Sequence, residues 1–200
     1  MSLSPVLPRL VLASTSSYRR GLLERLRLPF DVIAPEVDES PLGDEAPDAL
    51  ALRLARAKAV AGLQRAPGAV VIGSDQVAVC AGRVLGKPGG FAPAMQQLQW
   101  MSGREVVFHS ALAVTDGSRA EAQDVITRCQ VRTLDDEAIA AYLHAEQPFD
   151  TAGSAKAEGL GIALMAHIAS DDPTALIGLP LIALTGMLAR FGLDPLKATR

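Results

Sequence analysis

The sequence predicts an α/β fold: a mixed β-sheet flanked by helices and folded as two lobes. Three observations predict it. Short apolar runs of strand length alternate with stretches of helical periodicity. Of the residues, 49% are hydrophobic but only 4% are aromatic, so Ala and Leu build the core, which suits slim helices packed close to a sheet. The chain of 200 residues has no repeat, low-complexity tract or clear linker, and one domain over 1–200 is the economical division.

Arg9 to Ala13 reads as a short buried strand running into Ser14-Thr15-Ser16-Ser17, a hydroxyl-rich turn suited to capping a helix. The helix is expected from Arg19 to Leu28, with Leu22, Leu23 and Leu26 on one face. Phe30 to Ile33 is a second strand, and Ala34 to Pro47 an acidic, proline-punctuated loop. A long helix follows from Asp48 to Ala66, with Leu50, Leu54, Ala57 and Ala61 sharing a face and Lys58 on a flank. Pro67-Gly68 stops it. Ala69 to Ile72 is a continuous apolar run typical of a strand buried on both faces. Gln76 to Leu85 reads as a hairpin turning at Ala81-Gly82, and Phe91 to Met101 as a helix. Val106 to Thr115 and Ala122 to Thr133 form a long antiparallel pair joined at Asp116-Gly117. Asp135 to Ala145 is a helix capped by Asp135 or Asp136. A glycine-rich loop (Gly153 to Gly161), a strand from Ile162 to Ile168 and a helix after Pro180 complete the chain.

Several function classes are disfavoured. A formal net charge of −3 provides no general attraction to nucleic acid or anionic membrane, so phosphate binding needs a local cluster of cations. Cys80 and Cys129 sit in strand-like apolar runs and read as buried free thiols. Met1 to Pro8 has no basic segment of the kind that opens a signal peptide. The apolar stretch Ala175 to Ala189 is shorter than the roughly 20 residues of a membrane span and contains Pro180. A soluble, cytoplasmic protein is expected. There is no GxxxxGK[ST] loop, no paired-cysteine zinc spacing and no HExxH. His109, His144 and His167 are expected to be structural or exposed.

Three segments carry chemistry. Arg19-Arg20 at a helix start are electrostatically misplaced against the positive end of the helix dipole unless an anion docks there. Free N–H groups, the Ser14, Ser16 and Ser17 hydroxyls and two guanidiniums would then cradle phosphates; a serine cap followed by two solvated arginines reads equally well. Gly73-Ser74-Asp75-Gln76 is placed where a buried strand ends, the usual gathering point for ligands in open α/β sheets, although an Asp there can also simply cap a turn. Glu36, Asp38 and Glu39 crowd one loop. Such acids repel unless solvated or bound to a cation, and a hard divalent ion takes one or two carboxylates plus substrate phosphates. Lys58, Lys87 and Lys156 are further phosphate candidates, though each taken singly reads first as a surface lysine.

Taken in order, these segments resemble the Maf family of nucleotide pyrophosphatases over nearly the whole chain. Leu12-Ala13-Ser14-Thr15-Ser16-Ser17-Tyr18-Arg19-Arg20 matches its opening signature, with Ser17 where the family usually has proline, which leaves that turn less rigid. Pro35 to Glu39, Arg56 to Ala59, Gly73-Ser74-Asp75, Gly86-Lys87-Pro88, Ala152-Gly153-Ser154 and Gly178-Leu179-Pro180-Leu181 match later landmarks. The resemblance implies an inosine-triphosphatase-like fold around a substrate cleft, Asp75 as catalytic base, and Glu39 with Asp75 holding a divalent cation (Mg, Mn or Co). It implies Ser14, Arg19, Arg20, Lys58 and Lys87 on the phosphates, and a homodimer. Water would attack the α-phosphoryl group, with pyrophosphate leaving.

Tyr18, Gln76 and Glu158 resemble the branch that prefers 7-methyl-GTP. A cationic 7-methylguanine stacks well on an aromatic face, and a carboxylate can accept from the guanine N1 and N2 edge. The expected reaction is hydrolysis of 7-methyl-GTP to 7-methyl-GMP and diphosphate, clearing modified nucleotides. Two alternatives stand beside it: a dTTP/UTP pyrophosphatase of the same family, and a non-catalytic nucleotide-binding regulator of septum formation.

Overall fold

The computed structural model describes residues 7–198; residues 1–6, most of the segment read for a signal peptide, lie outside the described residues. In chain order the elements are β1 (Leu10–Ala13), α1 (Ser17–Glu24), β2 (Asp31–Ile33), α2 (Pro47–Arg65), β3 (Val70–Cys80), β4 (Arg83–Leu85), α3 (Phe91–Met101), β5 (Glu105–Thr115), β6 (Ala120–Val131), α4 (Asp136–Glu146), β7 (Met165–Ser170), α5 (Leu181–Arg190) and α6 (Pro195–Ala198). Short 3-10 turns lie at Ala152–Ser154, Leu160–Leu164 and Ala175–Ile177. Seven strands make one mixed sheet in the order β2-β1-β3-β5-β6-β7, with β4 paired to β3. The expected mixed sheet flanked by helices is found. No helix of the described residues is long and apolar enough to cross a membrane.

Several boundaries differ from the expectation, each for a local reason. The first helix begins at Ser17 because Ser16 accepts from Arg19 N, and it ends at Glu24 as the chain turns through Arg27 at φ 55°. The run after Gly153 first winds into the turn at Leu160–Leu164, so β7 starts only at Met165. The β5–β6 turn leaves β6 two residues earlier than expected at both ends. Asp135 is the cap of α4, accepting from Ala138 N at 2.8 Å. Ala81 and Gly82 both have positive φ, the conformation of a tight two-residue hairpin turn, as expected between β3 and β4.

The most consequential correction concerns β3. The predicted strand Ala69–Ile72 and the first arm of the predicted hairpin are one strand of 11 residues running through Gly73-Ser74-Asp75. Asp75 therefore does not sit where its own strand ends. Gly73 is not a break but a contact: a Cβ there would lie 2.2 Å from Ala55 O and 2.4 Å from Ala59 N of α2. Helix and sheet approach backbone to backbone at this point. The buried face of α2 is accordingly Leu50, Ala51, Leu54, Ala55, Lys58, Ala59 and Gly62. Ala57 and Ala61, expected on that face, are half-buried, whereas Lys58, expected on a flank, is inside it.

Two apolar clusters lie on the other face of the sheet. One joins β1 and the near halves of β3 and β5 (Ile72, Leu112, Val114) to α1 and α5. The second joins the far halves (Ala78, Cys80, Val106, Phe108) to α3 and α4. Side chains alternate along a strand, so on this same face Ser74, Gln76 and Ser110 fall between the two clusters and form a polar seam. Cys80 and Cys129 are free and buried in the second cluster. Burial raises both thiols, Cys129 to about 12.

Candidate active site

The sheet has a gap beside β3. On one edge of β3, β1 ends at Ala13 opposite Gly73, and β4 joins only at Ala78. Residues 74–77 thus have β5 on one side and, among the described residues, no strand on the other. Asp75 lies just beyond the carboxyl end of β1, the neighbouring parallel strand. Ligands in open α/β sheets gather at the carboxyl ends of strands, and the strand that ends here is β1 rather than β3.

Asp75 faces α2 and is 8% exposed. Lys58 Nζ stands 2.7 Å from Asp75 Oδ1 and 2.6 Å from Glu39 Oε1. The ammonium is buried because the small residues around Gly73 bring α2 against the sheet, and its two acids satisfy it there. Burial raises the Glu39 carboxyl, but the hydrogen bond and charge of Lys58, then the charges of Lys87 and Arg19, outweigh that and hold it below the usual carboxylate range. The other two loop acids diverge. Glu36 pairs with Arg65 at 2.8 Å, and Asp38 accepts from Ser40 N at 2.9 Å.

Arg19 donates from Nε to Gly178 O at 2.9 Å, and its terminal nitrogens have no hydrogen-bond partner among the described residues. Burial lowers its pKa, partly offset by Asp75 and Glu39; a guanidinium keeps its charge under such a shift. An anchored Nε with a free fork is the arrangement that grips a phosphate. Gly178 O also accepts from Ser74 Oγ at 3.1 Å, and Gly178 stands at φ 114°, left-handed backbone that favours glycine. Ser14 Oγ accepts from Ser16 N at 3.1 Å and retains its own proton, whereas the Ser16 hydroxyl is engaged as the helix cap.

Not every predicted phosphate ligand joins this group. Arg20 is exposed and pairs with Glu24 at 3.0 Å, one helical turn along. Lys87 is exposed on the loop after β4, close enough for its charge to act on Glu39. Lys58, predicted for phosphate, is instead the bridge between the two predicted cation ligands.

The three base-reading candidates approach from different elements. Tyr18 on α1 is half-buried, and the Lys156 ammonium, on which it acts, lies 3.3 Å from Asp150 Oδ1. Desolvation would lower Lys156; Tyr18 and Asp150 more than offset it, and its pKa is raised. Glu158 is exposed and makes no hydrogen bond or ion pair among the described residues, though its charge acts on Tyr142. Gln76 Nε2 shares its two protons among Ser110 Oγ and the carbonyls of Ala175 and Leu176.

Sequence reasoning missed the residues that hold these groups in place. Buried Asp172 accepts from Thr174 N and Oγ1 and from Ile182 N, and Thr174 Oγ1 accepts from Leu181 N. Together they cap α5 from seven to ten residues upstream, too far for a local capping motif. Gln97 bridges the loop after β4 and the turn at Ala152–Ser154, donating to Gly86 O at 2.9 Å and accepting from Ser154 Oγ at 2.7 Å. Tyr142 Oη donates to Ser154 O and accepts from Lys156 N. The histidines stand apart: His109 pairs with Asp124, His144 packs on Phe91, and His167 is exposed.

A divalent cation can be tested against this geometry. No three of the described His, Cys, Asp and Glu side chains gather as a metal cage. Two carboxylates do converge on one positive charge at Lys58 Nζ, a donor set that fits a hard cation completing its shell with phosphate oxygens and water.

The family model described as "Maf-like protein" matches residues 9–191. A 7-methyl-GTP pyrophosphatase of Bordetella avium (strain 197N) is 68% identical over 191 residues, 96% of this chain and 97% of that one. The protein of the same name from Bordetella pertussis (strain Tohama I) is 66% identical, covering 94% and 95%. That from Burkholderia pseudomallei (strain 1710b) is 62% identical, covering 92% and 88%. A solved structure of the Staphylococcus aureus Ham1 protein aligns with a TM-score of 0.43 at 15% identity over 62% of this chain and 71% of that one, a likeness too slight to argue from.

Proposed function

The chain belongs to the Maf family, and from that premise we propose that it is a nucleoside triphosphate pyrophosphatase hydrolysing 7-methyl-GTP to 7-methyl-GMP and diphosphate. The observation that carries the chemistry is the Asp75–Lys58–Glu39 cluster at the gap beside β3, with the free guanidinium fork of Arg19 next to it. The near full-length relatives named 7-methyl-GTP pyrophosphatase support the choice of base.

The Asp75 carboxylate orients a water and takes its proton as the water oxygen bonds to the α-phosphorus. The bond from that phosphorus to the bridging oxygen breaks, and diphosphate departs with the electron pair. Arg19 and Lys87 stabilise charge on the transferred and leaving groups, most strongly in the transition state. Ser14 donates its hydroxyl proton to a phosphate oxygen. Glu39 and Asp75 would hold a divalent cation, which when bound supplies Lewis-acid neutralisation of phosphate charge. Tyr18 stacks on the methylated base, and Glu158 accepts from its N1 and N2 edge. The enzyme acts as a homodimer in this reading, a point that light scattering checks directly.

Product analysis with 7-methyl-GTP, GTP, dTTP and UTP tests the proposal. The expected outcome is diphosphate plus monophosphate as first products, with the highest kcat/KM for 7-methyl-GTP. Orthophosphate plus a diphosphate nucleoside would overturn the bond assignment, and a preference for UTP or dTTP would overturn the base assignment. Nucleotide binding with no turnover at any divalent cation would return the protein to the regulator class.

A further inference from the structure

The amide of Gln76 meets three acceptors at one end. Its Nε2 lies 2.9 Å from Ser110 Oγ, 3.1 Å from Ala175 O and 3.0 Å from Leu176 O. A backbone carbonyl can only accept, so two of them facing the amide favour its NH2 end. The reverse placement would set Oε1 against two carbonyl oxygens. Ser110 completes the lock. It is fully buried, and its Oγ lies 2.8 Å from Ala175 O. A hydroxyl has one proton; that proton goes to Ala175, and only lone pairs remain for Gln76. The Oε1 of Gln76 has no partner among the described residues and is not sealed from solvent.

We infer that Ser110 is a positioning residue for base selection, fixing the Gln76 amide with Nε2 inward and Oε1 presented to the cleft as an acceptor. The base it favours carries adjacent N–H donors on its edge, as guanine does at N1 and N2. Uracil and thymine offer one N–H between two carbonyls, and a fixed acceptor opposes those carbonyls. The inference rests on the proposed 7-methyl-GTP reading for the base, and on the hydrogen bonds alone for the role of Ser110.

The test is a double-mutant cycle read as the ratio of kcat/KM for 7-methyl-GTP to that for UTP, in wild type, S110A, S110T, Q76M and Q76M/S110A. S110A is expected to reduce the ratio about tenfold, the worth of roughly one hydrogen bond, mainly through KM for 7-methyl-GTP. S110T keeps the hydroxyl and should retain the wild-type ratio. In the Q76M background, S110A should leave the ratio unmoved. An unchanged ratio in S110A, including a uniform loss of both activities with a lower melting temperature, makes Ser110 merely structural and overturns the inference. So does an S110A effect that persists in Q76M, or S110T behaving like S110A. A wild-type preference for UTP would overturn the proposed substrate alone, because the cycle still measures whether Ser110 acts through Gln76.

Discussion

Asp75 owes its place to three neighbours: Gly73, which lets α2 close on the sheet, Lys58, which balances its charge, and Glu39, which shares that ammonium. Replacement by Asn keeps the shape but removes both the charge and the proton-accepting oxygen. Loss of a general base costs on the order of a thousandfold in rate. Asp75→Asn should therefore lower kcat on 7-methyl-GTP by about that factor while circular dichroism reports a folded protein. Turnover near wild type at saturating divalent cation would remove Asp75 from the mechanism. Arg19 and Arg20 illustrate how much a single residue's surroundings decide. Adjacent and identical in type, one is anchored at Gly178 beside the acids and the other is paired outward with Glu24.

At the scale of elements, the contact between α2 and β3 joins packing to chemistry. Lys58 reaches Asp75 only because the helix lies on the strand with no side chain between them at Gly73. Gly73→Ala would place a methyl group 2.2 Å from Ala55 O, against backbone that has no rotamer to change. Overpacking in a well-filled core costs about 1–3 kcal/mol, and this case belongs at the upper end. The variant should unfold at clearly lower denaturant concentration, and its kcat should fall as α2 carries Lys58 away from Asp75. Wild-type stability would mean that the helix and strand separate freely. The seam of Ser74, Gln76 and Ser110 serves the opposite face, where it pins the segment Ala175–Gly178 and through Gly178 O fixes Arg19.

For the whole molecule, the stability profile at high pH should expose one buried hydroxyl. Burial, with the charges of Glu146 and Glu158 adding, raises Tyr142 from 10.0 to about 12, against the opposing effects of Lys156. A group that holds its proton more tightly in the folded state contributes stability that is complete below its ordinary pKa. That stability is lost as pH rises through the folded value. Unfolding free energy should thus decline between about pH 10 and pH 12, with a slope of at most about 1.4 kcal/mol per pH unit from this group. Tyr142→Phe should be less stable at neutral pH by about 1–3 kcal/mol, because Ser154 O and Lys156 N lose their partner. It should also show a shallower decline over that alkaline window. An unchanged slope in the variant would assign the decline to other groups.

Local sequence was enough to read the alternation of strand and helix, a capping turn within Ser14–Ser17, a cap at Asp135 or Asp136, the tight turn at Ala81-Gly82 and the burial of both cysteines. Each of these depends on neighbours within a few residues, where periodicity, capping and turn conformation act. The resemblance also brought Asp75, Glu39, Lys58, Arg19 and Lys87 onto one list. How they stand follows from the packing of distant elements. That β3 runs unbroken through Gly73 depends on the backbone of α2, which a local reading of glycine as punctuation cannot supply. That Lys58 faces inward to two acids depends on a strand 17 residues away and a loop on the other side of it. The gap beside β3 is the space between the end of one strand and the start of another. The carbonyls that orient Gln76 arrive from 99 and 100 residues downstream. Such placements follow from long-range packing, because a buried polar group is satisfied by whatever the fold brings within reach, however distant in the chain.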